Sequence, residues 1–151
     1  MQQAWRIIST VLGLLFRHPL TGVSVVPVLA DGRIVLVQRR DNGRWGLPGG
    51  LVDWGENITT TVSRELREET GLTVEKLGRL VGVYSAVNRD PRMHSVCVVV
   101  EAHVAGPFEI HDHLEIQAIQ AFTREQLPLG TLAHDHDRQL QDYLDGETVL
   151  C

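Results

Sequence analysis

The chain has 151 residues, which is enough for one domain with a hydrophobic core. A composition of 43% apolar and 22% charged residues is that of an ordinary soluble protein rather than a disordered or membrane-spanning one. The formal net charge of −5 argues against a basic surface for nucleic acid. It still permits a phosphorylated small molecule, because metal ions can provide positive charge locally.

The number and positions of the cysteines bear on the redox state of the compartment. Cys97 lies within an apolar run and Cys151 is the last residue, so a structural disulfide is not expected. This usage favours a reducing compartment, and we expect a cytoplasmic protein.

The first 20 residues are predicted to form an amphipathic helix that ends before Pro19. Four apolar residues recur there at helical spacing: Trp5, Ile8, Leu12 and Leu15. The apolar run is shorter than the ~20 residues that span a bilayer. It also carries few basic residues, which argues against a membrane contact by residues 1–20. We expect this helix to pack on the remaining domain, residues 21–151, or on a second subunit, as in a homodimer.

The rest of the chain mixes strands and helices. Runs rich in β-branched residues predict five strands, at residues 23–29, 33–40, 77–87, 95–104 and 114–122. Asp31-Gly32 is a hairpin signal between the first two, and the fourth is apolar enough to be buried on both faces. Apolar residues at helical spacing predict two helices. One ends at Gly71, and the other spans residues 131–145 and ends at Gly146. This mixture predicts one α/β domain with helices on both faces of a sheet.

Three acids of the first of these two helices lie at i, i+3 and i+4: Glu65, Glu68 and Glu69. They flank the apolar stripe of the helix, so they crowd one another beside a buried face. Such a cluster is unfavourable unless a cation compensates it, and oxygen ligands suit Mg²⁺, which often binds phosphates as well. The alternative is a solvated acidic helix with ion pairs to Arg64 and Arg67. The position of the acids beside the stripe favours the metal site.

Nine positions with fixed gaps include these acids: Gly50, Glu56, Arg64-Glu65-Leu66, Glu68-Glu69 and Gly71-Leu72. The pattern resembles the Nudix box, and residues 45–49 resemble the segment that precedes it. The resemblance implies an α/β/α sandwich with a mixed β-sheet, here with an extra N-terminal helix. It also implies hydrolysis of a nucleoside diphosphate linked to another group, with Mg²⁺ or Mn²⁺ as cofactor.

The resemblance also implies residue roles. Glu65, Glu68 and Glu69 would bind the metal, with the backbone carbonyl of Gly49 as a further ligand, and one glutamate would act as general base. Arg64 would orient the carboxylates, unless it forms a plain surface ion pair.

Members of the family often add one acid from outside the box. Glu115 is the candidate, because it precedes residues 118–122 as the late acid of the family precedes its final strand. Asp112 and Glu109 are competitors, and a solvated loop acid is an equal alternative.

The choice of substrate depends on a second segment. Residues 83–85 and 89–94 resemble the corresponding region of ADP-ribose pyrophosphatases. Five residues are candidates for substrate binding: Arg89, Arg92, Arg39, Tyr84 and Trp45. The arginines would contact phosphate, and the two rings would stack on a base or ribose. Exposed loop arginines and core packing of Tyr84 remain open alternatives.

ADP-ribose, cleaved to AMP and ribose 5-phosphate, is therefore the expected substrate. A nucleoside triphosphate pyrophosphohydrolase and a nucleotide-binding sensor without turnover remain alternatives. Two histidine-rich runs, residues 111–113 and 134–137, resemble transition-metal sites. We interpret both as solvated polar segments.

Overall fold

The computed structural model describes residues 2–16 and 18–151. Within these residues the chain forms three α-helices: α1 (Gln2–Phe16), α2 (Ile58–Thr70) and α3 (His136–Leu144). The strands are β1 (Leu20–Val28), β2 (Ile34–Arg39), β3 (Trp45–Gly46), β4 (Gly49–Leu51), β5 (Thr73–Tyr84), β6 (Ser95–Ala105), β7 (Ile116–Phe122) and β8 (Val149–Leu150). A short 3₁₀ turn spans Arg124–Gln126.

The strands form one mixed sheet in the order β3-β2-β1-β6-β5-β8, with β4 paired to β1 and β7 paired to β2. β1 runs parallel to β6 over its whole length. On its other side, β1 pairs with β4 at Gly22–Ser24 and with β2 only at Val28. The sheet therefore divides beside β1, and this division creates the opening in which the candidate site lies.

Each face of the sheet is covered by one helix. Successive side chains of a strand point to opposite faces, so Val25 packs with Leu66 of α2 whereas Val26 packs with Leu140 of α3. The two cores confirm the predicted α/β sandwich with a mixed sheet.

Most predicted elements are present, with differences at their ends. β6 supplies Cys97 to one core and Ala102 to the other, but several of its residues are only partly buried. The helix predicted over residues 131–145 begins only at His136. Before it the chain turns, because the Asp137 carboxylate accepts hydrogen bonds from the backbone N–H groups of Gly130 and Leu132. The short strands β3, β4 and β8 were not predicted, because two or three residues carry no recognisable periodicity.

The described side chains of helix α1 give no support to the expectation that it packs on the domain, and the predicted stripe residue Leu15 lies outside the described side chains. Residues 5–12 are all exposed, including Trp5 at 70% and Ile7 at 64%. Packing on a second subunit stays a prediction. No helix in the described part of the chain is long and apolar enough to cross a membrane.

Candidate active site

Helix α2 positions the acids. Its N-terminus is capped by Asn57, whose side chain accepts a hydrogen bond from the Thr60 N–H at 2.9 Å. Gly71 ends it in the left-handed conformation at φ 74°, which glycine adopts without strain. Between these caps Glu65 and Glu69 face inward with only 8% and 3% exposure. Glu68 lies further round the helix, and its side chain is 46% exposed.

The turn before α2 approaches the acids closely because it is built from glycines. A Cβ on Gly50 would lie 2.3 Å from Glu65 Oε1, and one on Gly49 would lie 2.1 Å from the Val23 carbonyl oxygen. The Gly49 N–H donates a hydrogen bond of 2.9 Å to Glu69 Oε2. The predicted metal ligand at Gly49 is its carbonyl, and that role stays a prediction.

Arg64 connects the carboxylates. Its Nε donates to Glu56 at 2.9 Å, and its Nη1 donates to Glu65 at 2.8 Å and to Glu68 at 3.2 Å. Nη2 also donates to the Leu51 carbonyl at 3.0 Å. Hydrogen bonds from Arg64 lower the pKa of Glu56 to about 2. This is the arrangement that an orienting residue requires, since one guanidinium fixes three acids and the preceding turn.

The negative charges of the two buried acids, Glu65 and Glu69, are only partly compensated by nearby groups. Desolvation raises the pKa of Glu69 to about 8, and the hydrogen bond from Gly49 offsets only part of this effect. Desolvation also raises the pKa of Glu65, although Arg64 lowers it in part. Glu56, Glu65 and Glu68 therefore share one guanidinium, which cannot neutralise three carboxylates. Within the described part of the chain, Glu69 has only the Gly49 N–H as a hydrogen-bond donor.

Carboxylate oxygens in this arrangement fit Mg²⁺ or Mn²⁺, which favour hard oxygen ligands. Within residues 2–16 and 18–151, no three His, Cys, Asp or Glu side chains converge as a complete metal-ligand set. The reason is visible at Arg64, whose Nη1 lies between Glu65 and Glu68.

A cleft of about 480 Å³ opens beside these acids. Eight residues of the predicted site line it: Arg39, Gly49, Arg64, Glu65, Glu68, Arg89, Arg92 and Glu115. The competitor Asp112 lines it too, whereas Glu109 contacts Gly71 at the end of α2. Backbone N–H groups of His111 and Asp112 donate to the Glu68 carbonyl at 2.9 Å, so this loop is held against α2.

The three arginines predicted to bind substrate differ in how accessible they are to a ligand in the cleft. Arg39 and Arg92 lie at the edge of the cleft, where they pair with Asp41 and Asp90. Arg89 is only 10% exposed, because its Nη1 donates to both carboxylate oxygens of Asp135 at 2.8 Å. Arg39 also lies 4.0 Å from Glu115, which is 56% exposed.

Two predicted substrate contacts are corrected by their positions. Tyr84 has no exposed surface, and its hydroxyl donates to Asp142 at 2.8 Å, so it cannot stack on a base. Trp45 packs edge-to-face on Phe122 at 5.2 Å and does not line the cleft. Both rings belong to the core on the α3 side. The sequence could not show this, because a large aromatic ring suits both core packing and stacking on a ligand.

The interpretation of residues 134–137 as a solvated segment is also wrong in part. His136 Nδ1 accepts a hydrogen bond from the Leu47 N–H at 3.0 Å, and burial lowers its pKa to about 4. Asp135 is 14% exposed in its pair with Arg89. Both residues line the cleft together with Ser24 and Gln139, which sequence reasoning missed. The alternation along β1 could have indicated Ser24, but Gln139 carries no separate sequence signal.

Comparisons with known proteins place this geometry in a family. Residues 18–143 match the model of the NUDIX domain. An ADP-ribose pyrophosphatase from Methanocaldococcus jannaschii is 37% identical over 86% of this chain and 76% of the relative. A protein of Bacillus subtilis described as a putative 8-oxo-dGTP diphosphatase is 30% identical over 83% of this chain and 80% of the relative.

A solved structure shows the same fold. The NUDIX domain of Shewanella oneidensis NrtR, crystallised with ADP ribose, superposes with a TM-score of 0.73 at 27% identity. The match covers 86% of this chain and 91% of that one. By the domain match and the relative at 37% identity, this chain belongs to the Nudix hydrolase family, whose members act on pyrophosphate bonds.

Proposed function

We propose that this protein hydrolyses ADP-ribose to AMP and ribose 5-phosphate in a reaction that depends on Mg²⁺ or Mn²⁺. The observation that carries the proposal is the buried pair of Glu65, which lines the cleft, and Glu69, which accepts a hydrogen bond from Gly49 of the cleft wall, with only partial compensation of their charge. The similarity to an ADP-ribose pyrophosphatase over 86% of the chain supports the choice of substrate.

The chemistry is attack by water on one phosphorus of the diphosphate, with cleavage of the bridging P–O bond. A divalent cation, when bound, neutralises phosphate charge and lowers the pKa of a bound water. Glu65, Glu68 and Glu69 would hold that cation, while Arg64 keeps their carboxylates oriented. One carboxylate takes the proton from the attacking water, and Glu115 at the edge of the cleft is our candidate for the additional acid.

Arg39 and Arg92 stand where a diphosphate entering the cleft would meet positive charge. Each is paired with one aspartate, so phosphate would compete with Asp41 and Asp90 for a bidentate contact. We propose a substrate-binding role for these two arginines and a cytoplasmic setting, consistent with the free thiols of Cys97 and Cys151.

A second candidate is hydrolysis of nucleoside triphosphates. It is favoured by the similarity to the protein described as a putative 8-oxo-dGTP diphosphatase. The same acids would act, and only the group accepted by the cleft would differ. A third alternative, a nucleotide-binding sensor without turnover, leaves the cost of burying Glu69 unexplained.

One assay separates these candidates. ADP-ribose, sugar nucleotides and dNTPs are incubated with the protein in Mg²⁺ or in chelator, and product release is measured. We expect ADP-ribose to give the highest kcat/KM, with no turnover in chelator. Preferred dNTP cleavage would favour the second candidate, and binding of ADP-ribose without turnover would favour the sensor.

Glu69→Gln tests the assignment of the acids. The variant should fold, because the amide needs no compensating cation, but kcat should fall by about 100-fold or more. Glu147→Gln, at an exposed position far along the chain, is the matched control. Full activity of Glu69→Gln would overturn the proposed metal site.

A further inference from the structure

At one end, the wall of the cleft is formed by β1, β6 and the start of α3, and this wall is polar. Ser24 of β1 lies in register with Gly49 on one side, and β6 follows on the other side with Cys97. Neighbouring strands are about 4.8 Å apart, so this end begins one strand beyond the turn that contacts Glu69. Ser24 Oγ lies 3.3 Å from Cys97 Sγ. Asp135 and Gln139 complete the wall from the start of α3.

Arg89 and Gln139 are fixed at this end by the same carboxylate. Arg89 donates to Asp135 through Nη1 and to Ser95 Oγ through Nη2 at 2.7 Å. Gln139 has no exposed surface, and its Nε2 donates to Asp135 Oδ1 at 3.1 Å. Asp135 therefore orients both the guanidinium of Arg89 and the side-chain amide of Gln139.

Each of these two side chains keeps one buried polar atom without a partner. Arg89 Nε is a donor with no acceptor, and Gln139 Oε1 is an acceptor with no donor. Buried polar groups in native proteins are almost always paired, since an unpaired one is costly. Both side chains line the cleft, and the terminal torsion of Gln139 is a broad one, so its amide is able to adjust to a ligand.

The chemistry of this end favours a hydroxyl-bearing ligand. A hydroxyl both donates and accepts, so a sugar can satisfy an orphaned acceptor and an orphaned donor together. Phenylalanine, tyrosine and tryptophan, on which bases commonly stack, are absent from the cleft wall in the described part of the chain. We infer that Gln139 and Arg89 recognise the terminal ribose of the substrate, so that this end of the cleft reads the sugar rather than the base. The inference rests on the proposed function for the identity of that sugar.

Three substrates test this reading by kinetics. ADP-ribose and GDP-ribose share the terminal sugar, whereas the methyl ester of ADP keeps the adenosine diphosphate and lacks that sugar. The native chain should prefer ADP-ribose to the methyl ester by at least about tenfold, the effect of one buried hydrogen bond. Gln139→Met should lower kcat/KM about tenfold for both ribose substrates and less than twofold for the methyl ester. Gln141→Met, an exposed residue of the same helix, should change none of them.

Other kinetic outcomes overturn the inference. If Gln139→Met changes the ratio between ADP-ribose and GDP-ribose, this end of the cleft reads the base. If Gln139→Met lowers kcat/KM by the same factor for all three substrates, Gln139 has a structural role only. A native chain that cleaves the methyl ester as well as ADP-ribose also contradicts sugar recognition, without reference to any variant.

A binding measurement in chelator separates this inference from the proposed function. Ribose 5-phosphate should raise the Tm of the native chain by about 2 °C or more at saturating concentration. The shift should vanish in Gln139→Met and persist in Gln141→Met, while the shift caused by AMP is unchanged by both substitutions. If none of the nucleotides is hydrolysed but this pattern holds, the proposed function fails and the sugar site stands. If ribose 5-phosphate gives no shift in the native chain, the sugar site fails.

Discussion

At the scale of single residues, the site depends on how Arg64 distributes its five N–H groups. It contacts Glu56, Glu65 and Glu68 as well as the Leu51 carbonyl, so one side chain joins helix α2 to the turn before it. Lysine carries a single charged group and cannot make these contacts in one plane. The acids keep their relative positions because Arg64 holds them together, and buried Glu69 is held separately by Gly49.

Gly50→Ala tests the close approach of the turn to the acids. Its Cβ would lie 2.3 Å from Glu65 Oε1, so the carboxylate must move. We expect kcat to fall about 10- to 100-fold, since a displacement of about 1 Å in a catalytic group has effects of this size. Steady-state kinetics check this, with Gly13→Ala as control because a Cβ there meets open space. Unchanged kcat in Gly50→Ala would mean that the position of Glu65 is unimportant.

His136 predicts a loss of stability in acid. Its pKa is about 4 in the folded protein and 6.5 when unfolded, so the unfolded chain binds more protons between these values. The contribution of His136 to the free energy of unfolding should therefore fall as the pH falls from 6.5 to 4, by up to about 3 kcal/mol. The raised pKa of Glu69 contributes in the opposite direction, so the His136 contribution is read from the difference between the native chain and a His136 variant. Urea unfolding across this range checks it.

The control for this pH dependence is His113, which is exposed. The difference in free energy of unfolding between the native chain and His136→Asn should change with pH by this amount, whereas the difference between the native chain and His113→Asn should stay constant. Parallel curves for the native chain and His136→Asn would show that another group is responsible.

At the scale of elements, α2 is defined by its two ends. The Asn57 side chain accepts hydrogen bonds from the backbone of Thr60 and from the Thr59 hydroxyl, and Gly71 closes the other end. The loop after β6 then packs on that closed end, where the Glu109 N–H donates to the Thr70 carbonyl at 2.9 Å. This packing brings Asp112 and Glu115 to the cleft.

Asn57→Ala should lower the free energy of unfolding by about 1 kcal/mol, because an orphan N–H at the helix start loses its acceptor. Ser63→Ala, on the exposed face of the same helix, should change it by less than about 0.5 kcal/mol. Chemical denaturation measures both, and kcat below the melting transition should be unaffected in each. Equal losses in the two variants would contradict the capping role.

At the scale of the whole molecule, the division of the sheet beside β1 decides where the cleft opens. β4 and β2 pair with opposite ends of the same edge of β1, so the turn that carries Gly49 and Gly50 lies across from β6 and the start of α3. The acids on one face and the polar wall on the other therefore border a single opening. The described apolar residues of helix α1, from Trp5 to Leu12, are exposed and line no part of the cleft.

We expect the native chain to self-associate through α1. Exposed apolar residues of this helix, including Ile8 and Leu12, would be buried between two copies. Light scattering after gel filtration should report a dimer for the native chain and a monomer for Leu12→Glu. Thr10→Glu, on the polar side of the helix, should remain dimeric. A native monomer, or a dimer that survives Leu12→Glu, would contradict this prediction.

The sequence by itself determined the longer helices and strands and the acid cluster of this protein. The spacing of Glu65, Glu68 and Glu69 along α2, the glycine at its end and the alternating strands depend on local periodicity, which is readable without a fold. The same local rules cannot show which side chains from distant segments meet. Periodicity therefore left open whether Tyr84 packs in the core or contacts substrate, and it described the run from His134 as solvated, because it cannot measure burial.

Only the tertiary structure decided the composition of the cleft. Parallel pairing of β1 with β6 brings Ser24 beside Cys97, 73 residues further along the chain. Docking of α3 on the same face adds Asp135 and Gln139. These contacts arise from strand order and helix packing, which are set by the burial of whole faces rather than by any local signal. The positions of the acids therefore follow from the sequence of one helix. The other side chains that line the cleft are brought together only when the sheet and α3 assemble.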